Sequence, residues 1–158
     1  MIKAVLFDLD GTLNDVDTRE FGNIYYETLA KKFPREGLSL EDTAEEYRNA
    51  VRAMIRNQNY GESLEKIFTD YIRDNIGVDF EKSPELLTDY FNNEYNEVLA
   101  VFKKQKGAAE TVKKLRAAGF LLVIATNPLF SHYAIKRRLD NAGLDEAVFE
   151  FLTTYDWI

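Results

Sequence analysis

The sequence predicts an α/β fold in which a parallel sheet is interrupted, along the chain, by an inserted bundle of four helices. Three observations lead to this prediction. The apolar runs Ala4–Phe7 and 120–125 are continuous and short, as in strands that are buried on both faces. Between about residues 17 and 104, apolar residues recur at helical spacing, without strand-like alternation. Beyond that stretch, segments typical of helix and of strand alternate again.

The composition fits a single globular domain, or two small domains. The chain has 158 residues, is 46% hydrophobic and 30% charged, and carries a formal net charge of −7. The acidic excess argues against nucleic acid as a partner, because phosphate backbones are bound by basic surfaces. The chain has no cysteine, which excludes disulfides and thiolate metal sites. Neither a signal peptide nor a membrane span is visible, so we expect no membrane association and a cytoplasmic location.

The first predicted strand ends at two closely spaced carboxylates. Asp8 follows Phe7 directly, and Asp10 precedes Gly11, which allows a sharp turn. Open α/β sheets bind ligands at the carboxyl ends of their strands. Two carboxylates at that place offer a nucleophile, a proton-transfer group and ligands for a hard cation such as Mg²⁺. The alternative is an acidic turn without a chemical role, since Asp and Gly are favoured turn residues.

Four amphipathic helices are predicted in the insert. Ser39 and Ser83 are predicted N-caps, with Pro84 at the first position of the fourth helix. The Tyr and Phe residues on these helices are predicted to form the core of a bundle and not a cofactor site. The predicted extents are residues 18–33, 39–57, 64–76 and 83–101.

The remaining elements complete the predicted α/β core. They are a helix over residues 107–118, a strand over 120–125, a helix over 131–141 and a short strand over 148–152. The core is therefore predicted to be discontinuous, with residues 1–15 and 105–158 in the core and residues 16–104 in the helical insert.

Thr126 and Asn127 stand at the end of the second apolar strand. A hydroxyl and backbone N–H groups at such a place could cradle a phosphate. A structural alternative stays open, in which Asn127 caps a helix that Pro128 begins. Because successive parallel strands end at one edge of a sheet, we expect Thr126 to lie near Asp8.

Two motifs and their order resemble the haloacid dehalogenase (HAD) superfamily. Residues 8–12 read D-L-D-G-T and resemble the family's first motif, D-x-D-G-T after a hydrophobic strand. Residues 122–127 resemble its second motif, a hydrophobic strand that ends in Ser or Thr and is often followed by Asn. A helical insert directly after the first motif resembles the small helical cap of many members. The resemblance implies a Rossmann-like parallel core with an inserted helical cap.

The resemblance also implies a function and a set of site residues. The implied activity is Mg²⁺-dependent hydrolysis of a phosphate monoester, with a small phosphorylated metabolite as substrate. Asp8 would attack phosphorus and form an aspartyl-phosphate, while Asp10 would protonate the leaving oxygen and then activate water. Thr126 and the backbone N–H groups around Leu9 and Asn127 would bind the phosphoryl group. One Asp8 oxygen and the Asp10 carbonyl would hold Mg²⁺, and an acid at position 10 favours phosphatase chemistry over carbon–halogen cleavage.

Several polar residues are expected to be less important. Asp15 and Arg19 stand where the chain leaves the core, where they could touch substrate, but solvated hinge charges are the favoured interpretation. His132 is expected to be a surface or capping residue. The basic residues of the core helices, Arg138 among them, are expected to lie on solvated helix faces.

Two further family motifs do not occur in this sequence. The family places a lysine and an acidic cluster after the third strand, whereas no lysine follows Arg138 and Asp156 does not fit the acidic motif. We therefore expect the chain to be a fragment of a longer enzyme, and its competence on its own stays open. The first strand would then have an open apolar edge, which predicts self-association.

Two other functions remain as alternatives. The first is a non-enzymatic phosphate-binding or interaction module in which the helical bundle is the working surface and the two motifs are vestigial. The second is a phospho-acceptor switch domain with Asp8 as acceptor. The insert disfavours the switch domain, because receiver folds have none after the strand that carries the acceptor.

Overall fold

A computed structural model describes residues 3–58 and 61–157, so the predicted domain ends at residues 1 and 158 lie outside the described residues. The strands are β1 (Ala4–Phe7), β2 (Asn14–Asp15), β3 (Lys103–Lys104), β4 (Leu121–Ile124) and β5 (Phe151–Leu152). The helices are α1 (Thr18–Lys32), α2 (Leu40–Arg56), α3 (Leu64–Asn75), α4 (Glu85–Asn92), α5 (Tyr95–Leu99), α6 (Ala108–Ala117) and α7 (His132–Ala142). Single turns of 3-10 helix follow at Glu146–Val148 and Tyr155–Trp157.

The sheet is parallel, and its strands lie in the order β1-β4-β5. Phe7 is opposite Ile124, and the N–H of Ala125 donates to the Phe7 carbonyl at 2.7 Å. The strands β1 and β4 are therefore direct neighbours and end together. One face of this sheet packs against α6 and α7 in a common apolar cluster, in which Leu122 and Ile124 are fully buried. The predicted α/β class with a parallel sheet is confirmed.

The opposite face of the sheet is largely uncovered by the described residues. Leu6, Leu121 and Phe151 are 65%, 49% and 44% exposed, and the strand register puts them on the same face. β1 is also an edge strand of the described sheet. Self-association through this edge stays a prediction.

The segment from α1 to α5 packs around an aromatic core. Asp17, Ser39 and Ser63 accept backbone hydrogen bonds as N-caps of α1, α2 and α3, so the polar residue before each helix determines where it begins. Buried Tyr90 shares a hydrogen bond of 2.8 Å with the Thr28 hydroxyl, which satisfies both polar groups inside the core. The prediction that the aromatic residues form a bundle core is confirmed.

The prediction of one fourth helix over residues 83–101 is wrong. α4 and α5 are separate, with a turn at residues 93 and 94. The side chain of Asn93 donates to the Asp89 carbonyl at 3.1 Å, and that of Asn96 donates to the Asn93 carbonyl at 2.9 Å. Asparagine side chains thus compete for the carbonyls that a continuous helix would use. The predicted capping role of Ser83 is also wrong, because Pro84 takes the N-cap position and makes no side-chain cap.

The third predicted strand is shorter than residues 148–152. Val148 belongs to the 3-10 turn, and only Phe151–Leu152 pair with β4. The Asp145 carboxylate accepts a hydrogen bond from the Ala147 N–H at 2.9 Å, which stabilises the turn in place of an extended chain.

A two-stranded ribbon links the helical segment to the sheet. Antiparallel β2 and β3 pair Asn14 with Lys104 and Asp15 with Lys103. The chain therefore leaves the sheet and returns to it through two adjacent strands. No helix among the described residues is long and apolar enough to span a bilayer.

Candidate active site

The first predicted site residue, Asp8, lies exposed directly after β1. The Thr12 hydroxyl donates to Asp8 Oδ2 at 3.3 Å. The chain turns sharply between the two residues, because the Leu9 carbonyl accepts hydrogen bonds from the N–H groups of Thr12, Leu13 and Asn14. Gly11 supports this turn with a φ of 83°, in the left-handed region. The turn leaves the Asp8 carboxylate open to solvent at the end of the strand.

Asp10 is held at both of its carboxylate oxygens. Asn14 Nδ2 donates to Oδ1 at 3.0 Å, and Arg138 Nη1 donates to Oδ2 at 2.7 Å. Asn14 is itself buried, and its Oδ1 accepts from the Gly11 N–H at 3.2 Å. The Asp10 side chain is 16% exposed. These two N–H donors fix the orientation of the Asp10 carboxyl group.

The prediction that Arg138 lies on a solvated helix face is wrong. Its side chain is 1% exposed, and its Nε donates to the Tyr95 hydroxyl at 2.8 Å. The guanidinium carbon lies 3.9 Å from the centre of the Phe130 ring and 4.7 Å from that of Phe21. These rings provide apolar packing and cation–π attraction to the buried cation.

The helical period contains a signal that could have located Arg138. Position 138 is three residues after Ile135 and four before Ala142, which are both buried. The arginine therefore occupies the apolar face of α7. Its residue type had suggested solvent exposure, whereas its position on the helix determines its burial.

The electrostatics of this buried group favour a charged arginine next to a neutral tyrosine. Burial alone lowers the pKa of Arg138, but Tyr95 and Asp10 together raise that pKa above its usual value. Burial also raises the pKa of Tyr95, against a smaller opposing effect from Arg138. The Nη2 atom of Arg138 has no hydrogen-bond partner among the residues that the structure describes.

Thr126 and Asn127 follow β4 and lie at the same edge of the sheet as Asp8. Thr126 is half-buried, and its carbonyl accepts from the Thr153 hydroxyl at 2.5 Å. Asn127 is exposed. α7 begins at His132 with Ser131 as its N-cap, so the alternative that Asn127 caps a helix begun by Pro128 is wrong. The structure thus brings Asp8, Thr126 and Asn127 to the ends of neighbouring strands, and their roles in binding and catalysis stay predictions.

The remaining polar residues lie away from this edge or in solvent. His132 is exposed at the first position of α7, and its Nε2 lies 2.6 Å from Glu146 Oε1. Asp156 accepts from the His132 N–H at 3.1 Å, so this late acid stabilises the start of α7. Asp15 and Arg19 are exposed, which agrees with solvated hinge charges.

Two cavities lie in different parts of the molecule. One of about 240 Å³ is lined by Phe7, Thr12 and Gly107, at the end of β1. The other, of about 750 Å³, is lined by residues of α3 and α4 and by Ser131 and Tyr155. Its lining does not include Asp8, Asp10 or Thr126. The lining of the smaller cavity does not include them either. We therefore place the candidate site at the ends of β1 and β4, where the carboxylates and Thr126 lie, and at neither cavity.

The donors at this edge fit a magnesium ion in their chemistry. No group of three or more His, Cys, Asp or Glu side chains that could hold a metal occurs within residues 3–58 and 61–157. Mg²⁺ is nevertheless usually held by one or two protein oxygens together with substrate phosphate and water. The exposed Asp8 carboxylate and the main-chain carbonyl of Asp10 are oxygen donors of this kind. The side-chain oxygens of Asp10 are already bound by Asn14 and Arg138.

Comparisons with known proteins agree with the fold. The family model of haloacid dehalogenase-like hydrolases matches residues 2–156. The chain is similar to the structure of a HAD phosphatase from Thermococcus onnurineus, with 24% identity over 98% of this chain and 63% of that one, and a TM-score of 0.51. A predicted phosphoglycolate phosphatase from Haemophilus somnus 129PT matches with 20% identity over 99% of this chain and 64% of that one, and a TM-score of 0.47. The chain thus spans less than two thirds of the length of either structure. No curated protein matches the sequence.

Proposed function

Because the chain belongs to the haloacid dehalogenase-like hydrolase family, we propose that it hydrolyses the phosphate monoester of a small metabolite, with Asp8 as the nucleophile. One observation carries the proposal: an exposed Asp8 and a fixed Asp10 follow β1, at the same sheet edge where Thr126 and Asn127 follow β4. A nucleophile, a proton-transfer group and phosphate-binding groups are the three components that such a reaction needs.

The first proposed step transfers the phosphoryl group to the protein. An Asp8 oxygen forms a bond to phosphorus while the bond from phosphorus to the leaving oxygen breaks. The leaving oxygen takes a proton from Asp10 and departs as an alcohol. The Thr126 hydroxyl and the backbone N–H groups around Leu9 and Asn127 stabilise the charge on the phosphoryl oxygens.

The second proposed step returns the protein to its starting state. A water molecule attacks phosphorus and loses a proton to Asp10, and the bond between phosphorus and the Asp8 oxygen breaks. Phosphate leaves, and both residues are ready for another cycle. Asp10 donates a proton in the first step and accepts one in the second, so its position matters in both.

A magnesium ion supports the same chemistry. Asp8 and the carbonyl of Asp10 would hold it, and the bound ion would reduce the repulsion between the Asp8 carboxylate and the phosphate. The dependence on Mg²⁺ belongs to the proposal and is tested with it.

The test is hydrolysis of p-nitrophenyl phosphate by the purified chain, with Mg²⁺ and with EDTA. Asp8→Asn is expected to abolish turnover, because an amide cannot act as the nucleophile. Asp15→Asn is the matched control, since Asp15 is also exposed but lies in the ribbon, and it should retain activity. Mass spectrometry of acid-quenched protein should find a phosphorylated peptide that contains Asp8.

The result can also contradict the proposal. Turnover that is equal in Asp8→Asn and in the unmodified chain would exclude Asp8 as the nucleophile. No turnover and no phosphorylated peptide would refute catalysis by this chain. Calorimetric titration with inorganic phosphate would then show whether the chain is instead a phosphate-binding module.

A further inference from the structure

The acid–base residue of the proposed reaction is joined to a residue of the helical segment through a buried arginine. Arg138 in α7 donates to Asp10 from Nη1 and to the Tyr95 hydroxyl from Nε. Tyr95 is the first residue of α5 and is fully buried. We propose that Arg138 is a positioning residue, which holds Asp10 in place for proton transfer and makes that place depend on α5. This inference rests on the proposed function, because it assigns Arg138 a role through Asp10.

The contacts of Arg138 are more specific than packing requires. Its neighbours on the same helix face, Ile135 and Leu139, are fully buried and apolar. An apolar side chain at position 138 would fill the same face without the desolvation that a buried charge brings. What the guanidinium adds is its planar set of donors, which fixes the direction of the bond to Asp10.

Three aromatic rings pack around the guanidinium group of Arg138. Phe130 follows β4, Phe21 belongs to α1, and Phe102 precedes β3. Their ring centres lie 3.9, 4.7 and 5.7 Å from the guanidinium carbon of Arg138. Because two of these rings belong to the helical segment or its end, a displacement of that segment would move the donor away from Asp10.

The hydrogen bonds also limit what Asp10 can do while they persist. Each carboxylate oxygen accepts one N–H donor and keeps one further lone-pair site, so these bonds fix the direction in which a proton on Asp10 can point. A proton at a remaining site can pass to a leaving oxygen while both bonds persist, and its direction depends on them. Arg138 should therefore affect reactions that need this proton much more than reactions that do not.

The leaving group separates these two kinds of reaction. p-Nitrophenolate is a stable anion and departs without a proton, whereas an alkyl phosphate such as glycerol phosphate needs one. We expect Arg138→Met to lower kcat for the alkyl phosphate by about 100-fold, within the usual contribution of a general acid. KM should change little, and p-nitrophenyl phosphate should be affected far less. Tyr95→Phe keeps the ring but removes the hydroxyl. It should also lower kcat for the alkyl phosphate more than for p-nitrophenyl phosphate, by a smaller factor than Arg138→Met.

Arg137→Met is the matched control. Arg137 is the neighbouring arginine of α7, and it donates to the Phe91 carbonyl and to Asn96. It too joins α7 to the helical segment, but it has no bond to Asp10. If Arg138→Met lowers kcat equally for both substrates, Arg138 has a structural role only and the inference is overturned. The same holds if Arg137→Met and Arg138→Met lower kcat for the alkyl phosphate equally.

A second measurement does not depend on activity. In ¹H–¹⁵N spectra of the unmodified chain, the Nε–H of Arg138 should give a distinct signal that exchanges slowly, because the group is buried and hydrogen-bonded. Asp10→Asn and Tyr95→Phe should each shift this signal, whereas Asp8→Asn should not. An Arg138 signal that is unchanged in Asp10→Asn overturns the inference. A chain that hydrolyses neither substrate refutes the proposed function, and the spectra then decide by themselves whether Arg138 holds Asp10.

Discussion

The pair formed by Asp10 and Arg138 predicts an unequal effect of removing either partner on the free energy of unfolding. Asp10→Asn leaves behind a guanidinium that is 1% exposed. Arg138→Met leaves behind a carboxylate that is 16% exposed and still accepts from Asn14 at 3.0 Å. The charge that remains is therefore costly in the first variant and partly hydrated in the second. We expect Asp10→Asn to be the more destabilising change.

The magnitudes follow from the burial of the group that stays. An uncompensated buried charge costs about 3–5 kcal/mol, and we expect about 3 kcal/mol for Asp10→Asn because the amide oxygen can still accept from Arg138. Arg138→Met loses the charged hydrogen bond to Asp10, worth about 1.5–3 kcal/mol, and also the hydrogen bond to the Tyr95 hydroxyl. Some of that loss is offset, because no cation is then buried, so we expect about 1–2 kcal/mol. The double variant should cost less than the sum, with a coupling of about 2 kcal/mol.

Urea unfolding of the unmodified chain, the two single variants and the double variant measures these differences in the free energy of unfolding. Asp8→Asn is the control, since Asp8 is exposed and its removal should change the free energy of unfolding by less than about 0.5 kcal/mol. A clearly larger destabilisation by Arg138→Met than by Asp10→Asn would contradict the predicted cost of the buried guanidinium. The predicted coupling is refuted if the two changes are additive, because the side chains would then not interact.

Three further predictions concern the core, the response to pH and the sheet edge. Ile72→Ala should destabilise the protein by about 2–5 kcal/mol in urea unfolding, because Ile72 is fully buried, whereas Ile55→Ala at a 62% exposed site should have little effect. Burial, with a smaller contribution from Asp156, raises the pKa of Glu65 in the folded chain. The stability that comes from its protonated form is present at acid pH and is lost as the pH rises through the folded pKa, so Glu65→Gln should have the higher urea midpoint at pH 7 and no advantage below the usual glutamate range. Leu6→Lys on the exposed edge strand should weaken association in a sedimentation dilution series, and an unmodified chain that is monomeric throughout would contradict the predicted self-association.

The sequence was most informative where a pattern is local and continuous. The apolar runs of β1 and β4 could be recognised because the two strands are neighbours and pack one face against the same helices. The break between α4 and α5 could not, because the apolar period runs through it unchanged and only the structure shows the asparagine side chains that bind main-chain carbonyls there. The spacing of apolar residues indicates which face of a helix is buried, but it does not indicate whether the helix is continuous.

In the candidate site, too, some features could be predicted from the sequence and one could not. The positions of Asp8 and Thr126 follow from a general property of parallel sheets, whose strands end together at one edge. The contact between Asp10 and Arg138 joins residues that are 128 positions apart, so no local motif contains it. Arginine is rarely buried without a partner, and only the structure identifies that partner.

The ribbon of β2 and β3 brings the two ends of the helical segment together at one junction. Asp15 and Lys103 are direct antiparallel partners, so their Cα atoms are about 5 Å apart. A two-residue hairpin turn could join them and remove everything between, without stretching the chain that remains. Conversely, any insert whose two ends meet at this spacing could be spliced in at the same junction. The pairing of four residues thus meets the backbone requirement for such an exchange, whereas any replacement segment must also supply the contacts that Tyr95, Phe21 and Phe102 make with Arg138.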